Sequence, residues 1–196
     1  MDEMVMRAMA KWPNVPAVFG WLRLDRRGRW WIRDELIGNP GMTAFIGRNY
    51  LTDEQGRYFF QNGPQQVFVE LEQTPWIFHV AGQDGAAPIF MDHVGNSVLP
   101  DGAGIDEQGV LYLLCSGRIG AVDERDLIHL IELMTDANGR KADDLLLSSW
   151  MEAEAGAPTL LLTLGNGSGL TLQRLSSHEL PTRFGYCLRP EISPAA

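Results

Sequence analysis

Four histidines, two cysteines and several paired carboxylates are the side chains in this 196-residue sequence that could move protons, attack a carbonyl or hold a metal. No two of His79, His93, His129 and His178 stand at metal-ligand spacing. Asp92 and His93 are neighbours, which in a strand sends them to opposite faces and argues against an orienting carboxylate–imidazole pair. His129 falls on the polar side of an amphipathic segment, beside Glu132 and Arg125. Cys115 and Cys187 are far apart and form no C-x-x-C motif; Cys115 ends the apolar run from Val110 as a small core residue would. Ser148, Ser149, Ser176 and Ser177 lack the context of a nucleophile elbow. Asp136-Ala137-Asn138-Gly139 opens like a calcium loop, but the twelfth position, where a bidentate Glu belongs, is Leu147. The glycines of Gly165–Gly169 have no following Lys-Ser or Lys-Thr, and an alternating strand pattern comes after them where a phosphate loop needs a helix. The carboxylates Asp143, Asp144, Glu152 and Glu154 suit a solvated face. The expectation is therefore no catalytic residue, no metal and no cofactor.

Binding chemistry remains. Arg48, Asn49 and Tyr50 come directly after one amphipathic stretch, and Gln61 and Asn62 stand between two strand-like runs, all polar groups wedged among hydrophobics. Such groups either staple a helix end and a loop or present donors to a ligand, and with Trp31 they are the candidate ligand-binding residues. Arg23, Arg26, Arg27, Arg29 and Arg33 interleave with Trp21, Trp30 and Trp31, a composition that could grip a single strand. Asp25, Asp34 and Glu35 cut that local excess, and the whole chain carries −9, all of it in the residues after Val80. A surface of that sign repels phosphate backbones, so nucleic acid is not expected as a partner. Nor is a membrane, since no apolar run approaches the roughly 18 residues of a spanning helix. The start of the chain, with Asp2 and Glu3, lacks a secretory layout, which points to the cytoplasm.

The elements that must position these residues are announced by turns. Asp-x-x-Gly precedes an apolar run at Asp25–Gly28, Asp53–Gly56 and Asp106–Gly109; the last two are the identical tetrapeptide Asp-Glu-Gln-Gly, 53 residues apart. Asp can accept from turn amides while Gly takes the positive φ that closes the corner, so each reads as a turn feeding a strand, and the repetition suggests two similar modules. In the first, strands at 17–24 and 29–33 flank one turn; Asn39-Pro40 then caps a short helix with Met42, Phe45, Ile46 and Asn49 on one face. Strands at 57–61 and 65–71 flank Asn62-Gly63, with Pro64 complicating the turn, and a further strand covers 76–80. In the second, a loop at 82–88 leads to a strand at 89–91. Asp123 is placed to cap a helix carrying Leu127, Leu130, Ile131 and Met134, and Gly139 lies beyond its end. Leu145–Leu147 fits either periodicity, and strands are expected at 159–164 and 170–175. The fold class is thus α+β: an N-terminal extension or short helix over 1–16, module one over 17–81, module two over 82–189, and a disordered tail over 190–196. Each module is mainly antiparallel strand with a short packing helix, its interior taking up most of the tryptophan and phenylalanine.

Trp30-Trp31-Ile32-Arg33, Phe45–Tyr50 and the run from Asp53 to Pro75 resemble an uncharacterised proteobacterial family, and the layout is similar, more distantly, to the bacterial domain-of-unknown-function family numbered 1285. That resemblance implies two successive α+β modules rich in antiparallel strands, with ligand binding or signalling as conjecture and no catalytic residues to carry over. The function expected is a non-enzymatic cytoplasmic binding or regulatory protein whose partner is a protein or a small molecule, with self-association left open. The alternatives are a small enzyme using Asp92, His93 or His129 in a cleft between modules, or a scaffold subunit.

Overall fold

The computed structural model describes residues 1–13, 15–85, 87–152, 158–164 and 168–191. It is α+β and divides into two compact units, the first made of Met1–Pro75, His93–Gly95 and Pro181–Ala196, the second of Trp76–Asp92 and Asn96–Leu180. The expected boundary lay at 81/82; residues 76–80 group instead with the second unit, because their strand pairs only with strands of that unit.

The first unit holds α1 (Glu3–Lys11), β1 (Val18–Leu24), β2 (Trp30–Ile32), β3 (Glu35–Leu36), α2 (Pro40–Arg48), β4 (Tyr50–Thr52), β5 (Tyr58–Asn62) and β6 (Gln65–Leu71). Its sheet runs β3-β2-β1-β6-β5-β4, antiparallel except where β1 lies parallel to β6. The second unit holds β7 (Trp76–Asp84), β8 (Ala87–Asp92), β9 (Ser97–Val98), β10 (Gly102–Asp106), β11 (Leu111–Cys115), β12 (Arg118–Val122), α3 (Leu127–Ile131), β13 (Met134–Asp136), α4 (Asp144–Glu152), β14 (Leu160–Leu164) and β15 (Ser168–Leu175). Its nine strands run β9-β8-β7-β12-β11-β10-β15-β14-β13. The first six of these repeat the order of the first sheet, strand for strand, including a parallel pair where β7 meets β12. Within the meander the register repeats as well. Phe60 faces Val67 and Leu113 faces Gly120; Gln61 faces Gln66 and Leu114 faces Ile119, each partner 53 residues after its counterpart. The two Asp-Glu-Gln-Gly turns are thus equivalent corners of the six-strand arrangement that both sheets contain. The sheets differ in one connection: α2 joins β3 to β4, whereas three residues, 99–101, join β9 to β10.

The turn chemistry is local and repeated. Asp25 Oδ1 accepts from the backbone N–H groups of Arg27 and Arg29, and Oδ2 from the Arg29 guanidinium and the Trp31 indole. Asp53 treats Gln55 and Arg57 the same way, Asp106 treats Gln108 and Val110 so, and Asp136 does so with Asn138 and Arg140. For Asp25 and Asp53 burial raises the carboxyl pKa, but the hydrogen bonds outweigh it and hold the group below its ordinary value; for Asp136 the Arg140 amide leads in the same direction. In the second turn of the pair, Glu107 accepts from the Ser177 hydroxyl and backbone N–H, and those bonds bring its carboxyl down to about 2. A group held below its unfolded value contributes stability that is complete above that value and disappears as pH falls through the folded one. The expected result is a loss of stability that begins near pH 4 and continues toward pH 2, seen as a falling urea midpoint, while no loss between pH 5 and 7 traces to these carboxylates.

Several expectations change. The loop expected at 82–88 is the end of β7 and the start of β8, a hairpin bulged between Val80 and Gly82 with Gly85 at its tip at φ 63°. The corner of the β5–β6 hairpin is Gly63-Pro64, because Asn62 pairs with Gln65; Gly63 takes the positive φ of 57° that Asn62 was expected to share. The helix expected after Asp123 is only Leu127–Ile131, and Met134 already belongs to β13. Asp123 does not cap it, since its carboxylate holds the Arg125 guanidinium and backbone N–H, and Asp126 takes the N-cap position. The ambiguous leucines fall in α4, where the Asp143 side chain accepts from Leu146 N–H, burying Leu146 and Trp150. Of six tryptophans only Trp30 and Trp150 are buried, so the interior does not absorb most of them. In the expected tail Pro190 is buried, and residues 192–196 lie outside the described residues, as do Glu154 and 165–167 of the glycine-rich segment.

Candidate functional site

The first unit's sheet carries an irregularity that builds a site. β1 pairs Val18 with Val67 and then Leu22 with Val69, so β1 carries two more residues than β6 over that stretch. Gly20 sits in this bulge at φ 70°, a conformation that costs a side-chain-bearing residue about 1–2 kcal/mol. The bulge turns Trp21 out of the sheet, leaving it 48% exposed, and the Arg33 guanidinium lies 3.9 Å over its ring. Arg33 itself adopts φ 53°, uncommon for a residue with a side chain, and donates its N–H to the Trp21 carbonyl. A backbone strained at two facing positions therefore fixes one exposed aromatic–guanidinium pair.

Trp21 walls an apolar groove of about 300 Å³, floored by Leu22, Ile46 and Phe60 and rimmed by Asn62 and Gln65. Ile32 and Met42, each 38% exposed, complete its mouth. α2 is the cover that makes it concave. Asn39 caps that helix as expected, its side chain accepting from Met42 N–H, and Ile46 is its buried anchor. On the other side, Trp21 and Leu22 also line a polar cleft of about 350 Å³ with Gly20, Arg23, Arg33, Asp34 and Glu70.

Of the six candidate ligand-binding residues, Arg48, Asn49, Tyr50, Gln61, Asn62 and Trp31, only Asn62 lines the groove. Arg48 donates to both carboxylate oxygens of Asp2, and Asn49, fully buried, accepts from the Asp2 backbone N–H and donates to the Phe45 carbonyl. Together they fasten the start of α1 to the end of α2. Tyr50 is buried with its hydroxyl donating to the Pro75 carbonyl, burial raising its pKa well above the ordinary value. Gln61, buried, donates to the Gly63 carbonyl. Trp31 donates its indole N–H to Asp25 and lies under Arg23 and Arg29. The structure brings Arg48 and Asn49 together at Asp2 and holds Tyr50, Gln61 and Trp31 in separate structural roles. The sequence offered Trp21 and Arg33 only as members of an arginine–tryptophan cluster weighed as a nucleic-acid grip; their pairing beside an apolar groove was missed, because the run 17–24 reads as an unbroken strand and hides the bulge at Gly20.

Each histidine has its own local surroundings. His93 packs its ring against Trp30 and Tyr50; His129 is exposed on α3; Asp92 is buried and accepts from the Asn96 backbone and amide. His79 Nδ1 lies 3.4 Å from Asp123 Oδ2, in a cluster with Arg125. Among the described residues there is no group of three or more His, Cys, Asp or Glu able to hold a metal. Both cysteines are free thiols; burial pushes the Cys115 thiol up to about 11, which leaves it unreactive at neutral pH. No helix among the described residues is long and apolar enough to cross a membrane.

This two-sheet α+β architecture has a counterpart in fold among solved structures. A crystal structure of a DUF1285 family protein from Silicibacter pomeroyi DSS-3 is similar in fold, with a TM-score of 0.51 at 18% identity over 92% of this chain and 98% of that one. A second DUF1285 family protein, from Shewanella baltica OS155, matches over 56% of this chain and 88% of its own at 15% identity, with a TM-score of 0.37. No curated protein matches the chain. Residues 1–191 match the DUF2944 family, described as "Protein of unknown function (DUF2946)", and the chain belongs to that family.

Proposed function

We propose that this protein is a non-enzymatic binding protein and that its ligand enters the apolar groove of the first unit. The observation that supports this reading is Trp21, held half in solvent by a bulge and a second strained residue when a regular strand would cost less. A concave, largely apolar groove with a few polar groups at its rim is the usual form of a small-molecule site. Exposed Ile32 and Met42 at its mouth gain burial when a ligand covers them, at about 25 cal/mol per Å². The reading carries with it a cytoplasmic setting, consistent with two free thiols, one of them buried.

The test is a titration with decanol as a neutral apolar probe. Ligand at one hundred times its Kd stabilises by about 2.7 kcal/mol, which for a chain of this size raises Tm by about 5–10 °C, with a matching change in tryptophan fluorescence. Val67→Phe, which fills the groove from β6, is expected to abolish both responses while leaving the far-ultraviolet circular dichroism intact. A wild-type protein that shows neither response, or a Val67→Phe variant that keeps both, sinks the reading.

A further inference from the structure

We infer that the groove's ligand is an apolar chain carrying an amino-acid-type head, with one ammonium and one carboxylate close together; this rests on the binding reading above. The apolar groove and the polar cleft share Trp21 and Leu22, so a tail lying along the first leads its head into the second. The cleft contains four charges, Arg23, Arg33, Asp34 and Glu70. Arg23 is engaged by the Glu72 carboxylate, which also accepts from the Arg26 backbone N–H. Among the described residues Arg33, Asp34 and Glu70 have no ion-pair partner. Arg33 is held over the Trp21 ring, at the seam between groove and cleft. The Glu70 carboxylate lies 3.9 Å from where a Cβ on Gly20 would stand, so the glycine that permits the bulge also leaves that carboxylate uncovered by a side chain at position 20.

One guanidinium and two carboxylates beside an apolar groove select among heads by sign. An anionic head gains Arg33 but is repelled by Asp34 and Glu70; a cationic head gains the carboxylates but meets Arg33; a neutral head gains neither. Only a head bearing both charges pairs with each, in a partly enclosed site where such pairs are screened less than on an open surface.

Isothermal titration of the full chain with four probes of equal length separates these cases: 2-aminodecanoate, decanoate, decylamine and decanol, each below its aggregation concentration at pH 7. The expected result is 2-aminodecanoate binding at least tenfold more tightly than each of the others. Arg33→Gln is expected to lower 2-aminodecanoate affinity at least tenfold more than it lowers decanol affinity. Glu70→Gln is expected to erase its advantage over decanoate, and serves if Arg33→Gln fails to fold. Decanoate, decylamine or decanol binding as tightly as 2-aminodecanoate overturns the head assignment and leaves the groove reading standing. Failure of decanol to bind removes the groove reading, and the head assignment with it.

Discussion

Gly56→Ala is expected to destabilise the first unit by about 4 kcal/mol, whereas Gly109→Ala in the identical tetrapeptide of the second unit costs about 1–2 kcal/mol. Both glycines have positive φ, 72° and 79°, so both substitutions carry the strain of a left-handed backbone. Only Gly56 is covered. The segment after α5 (Leu180–Phe184) runs across it: Cys187 donates its N–H to the Gly56 carbonyl, and Leu188 accepts from Leu71 N–H. A Cβ on Gly56 would collide with the Gly185 carbonyl oxygen, 2.8 Å from its carbon and 3.0 Å from Tyr186 Cα, all backbone atoms that cannot rotate away. A Cβ on Gly109 would meet nothing within 4 Å beyond its own chain neighbours. The larger loss sums the left-handed strain, overpacking of about 1–3 kcal/mol, and a hydrogen bond of about 1 kcal/mol. Urea unfolding measures both variants, and limited proteolysis of Gly56→Ala is expected to cut within residues 185–191 well before wild type. Equal losses for the two alanines would show that the C-terminal segment does not bear on the turn.

The second large effect is expected at Asp106. This carboxylate is 1% exposed and accepts from Gln108 N–H and Val110 N–H through one oxygen and from the Tyr112 hydroxyl, at 2.7 Å, through the other. Asp106→Ala opens the turn by removing two amide bonds, each of about 1 kcal/mol, and takes away the charged acceptor of the Tyr112 hydroxyl inside the core, a bond of about 1.5–3 kcal/mol, for an expected total of about 4 kcal/mol. Asp136→Ala removes the same two amide bonds from a turn whose donors face water, and is expected to lower the urea midpoint much less than Asp106→Ala does. Tyr112→Phe tests the cause. If the Asp106–Tyr112 bond is the larger part, Tyr112→Phe costs less in the Asp106→Ala background than in wild type, by about 1–2 kcal/mol of coupling. A double variant that is simply the sum of its singles would refute the shared bond as the source.

Turns closed by an aspartate, a cap by Asn39, and strands at 65–71 and 160–164 are readable in the sequence because their signals join residues within a few positions of one another. Arg48 and Asn49 are legible as polar groups that need partners, but Asp2 lies 46 positions from Arg48, and nothing in the local pattern names it. The helix after Asp123 is shorter than its sequence implies for the converse reason: its apolar spacing is helical, yet Met134 pairs with Leu162 and Asp136 with Leu160 in a sheet edge that the spacing does not describe.

Short-range order in this protein, its corners, caps and alternating strands, arises from residue type, because an amide and an acceptor three or four positions apart meet whatever the rest of the chain does. Which corner is covered, which tryptophan is pushed into solvent and where a groove opens depend on partners brought in from afar. Gly56 and Gly109 are the same residue in the same motif, and only a segment about 130 positions downstream of Gly56 distinguishes them. The bulge that frees Trp21 likewise exists only relative to β6, since extra residues in one strand have meaning solely against the strand that lacks them.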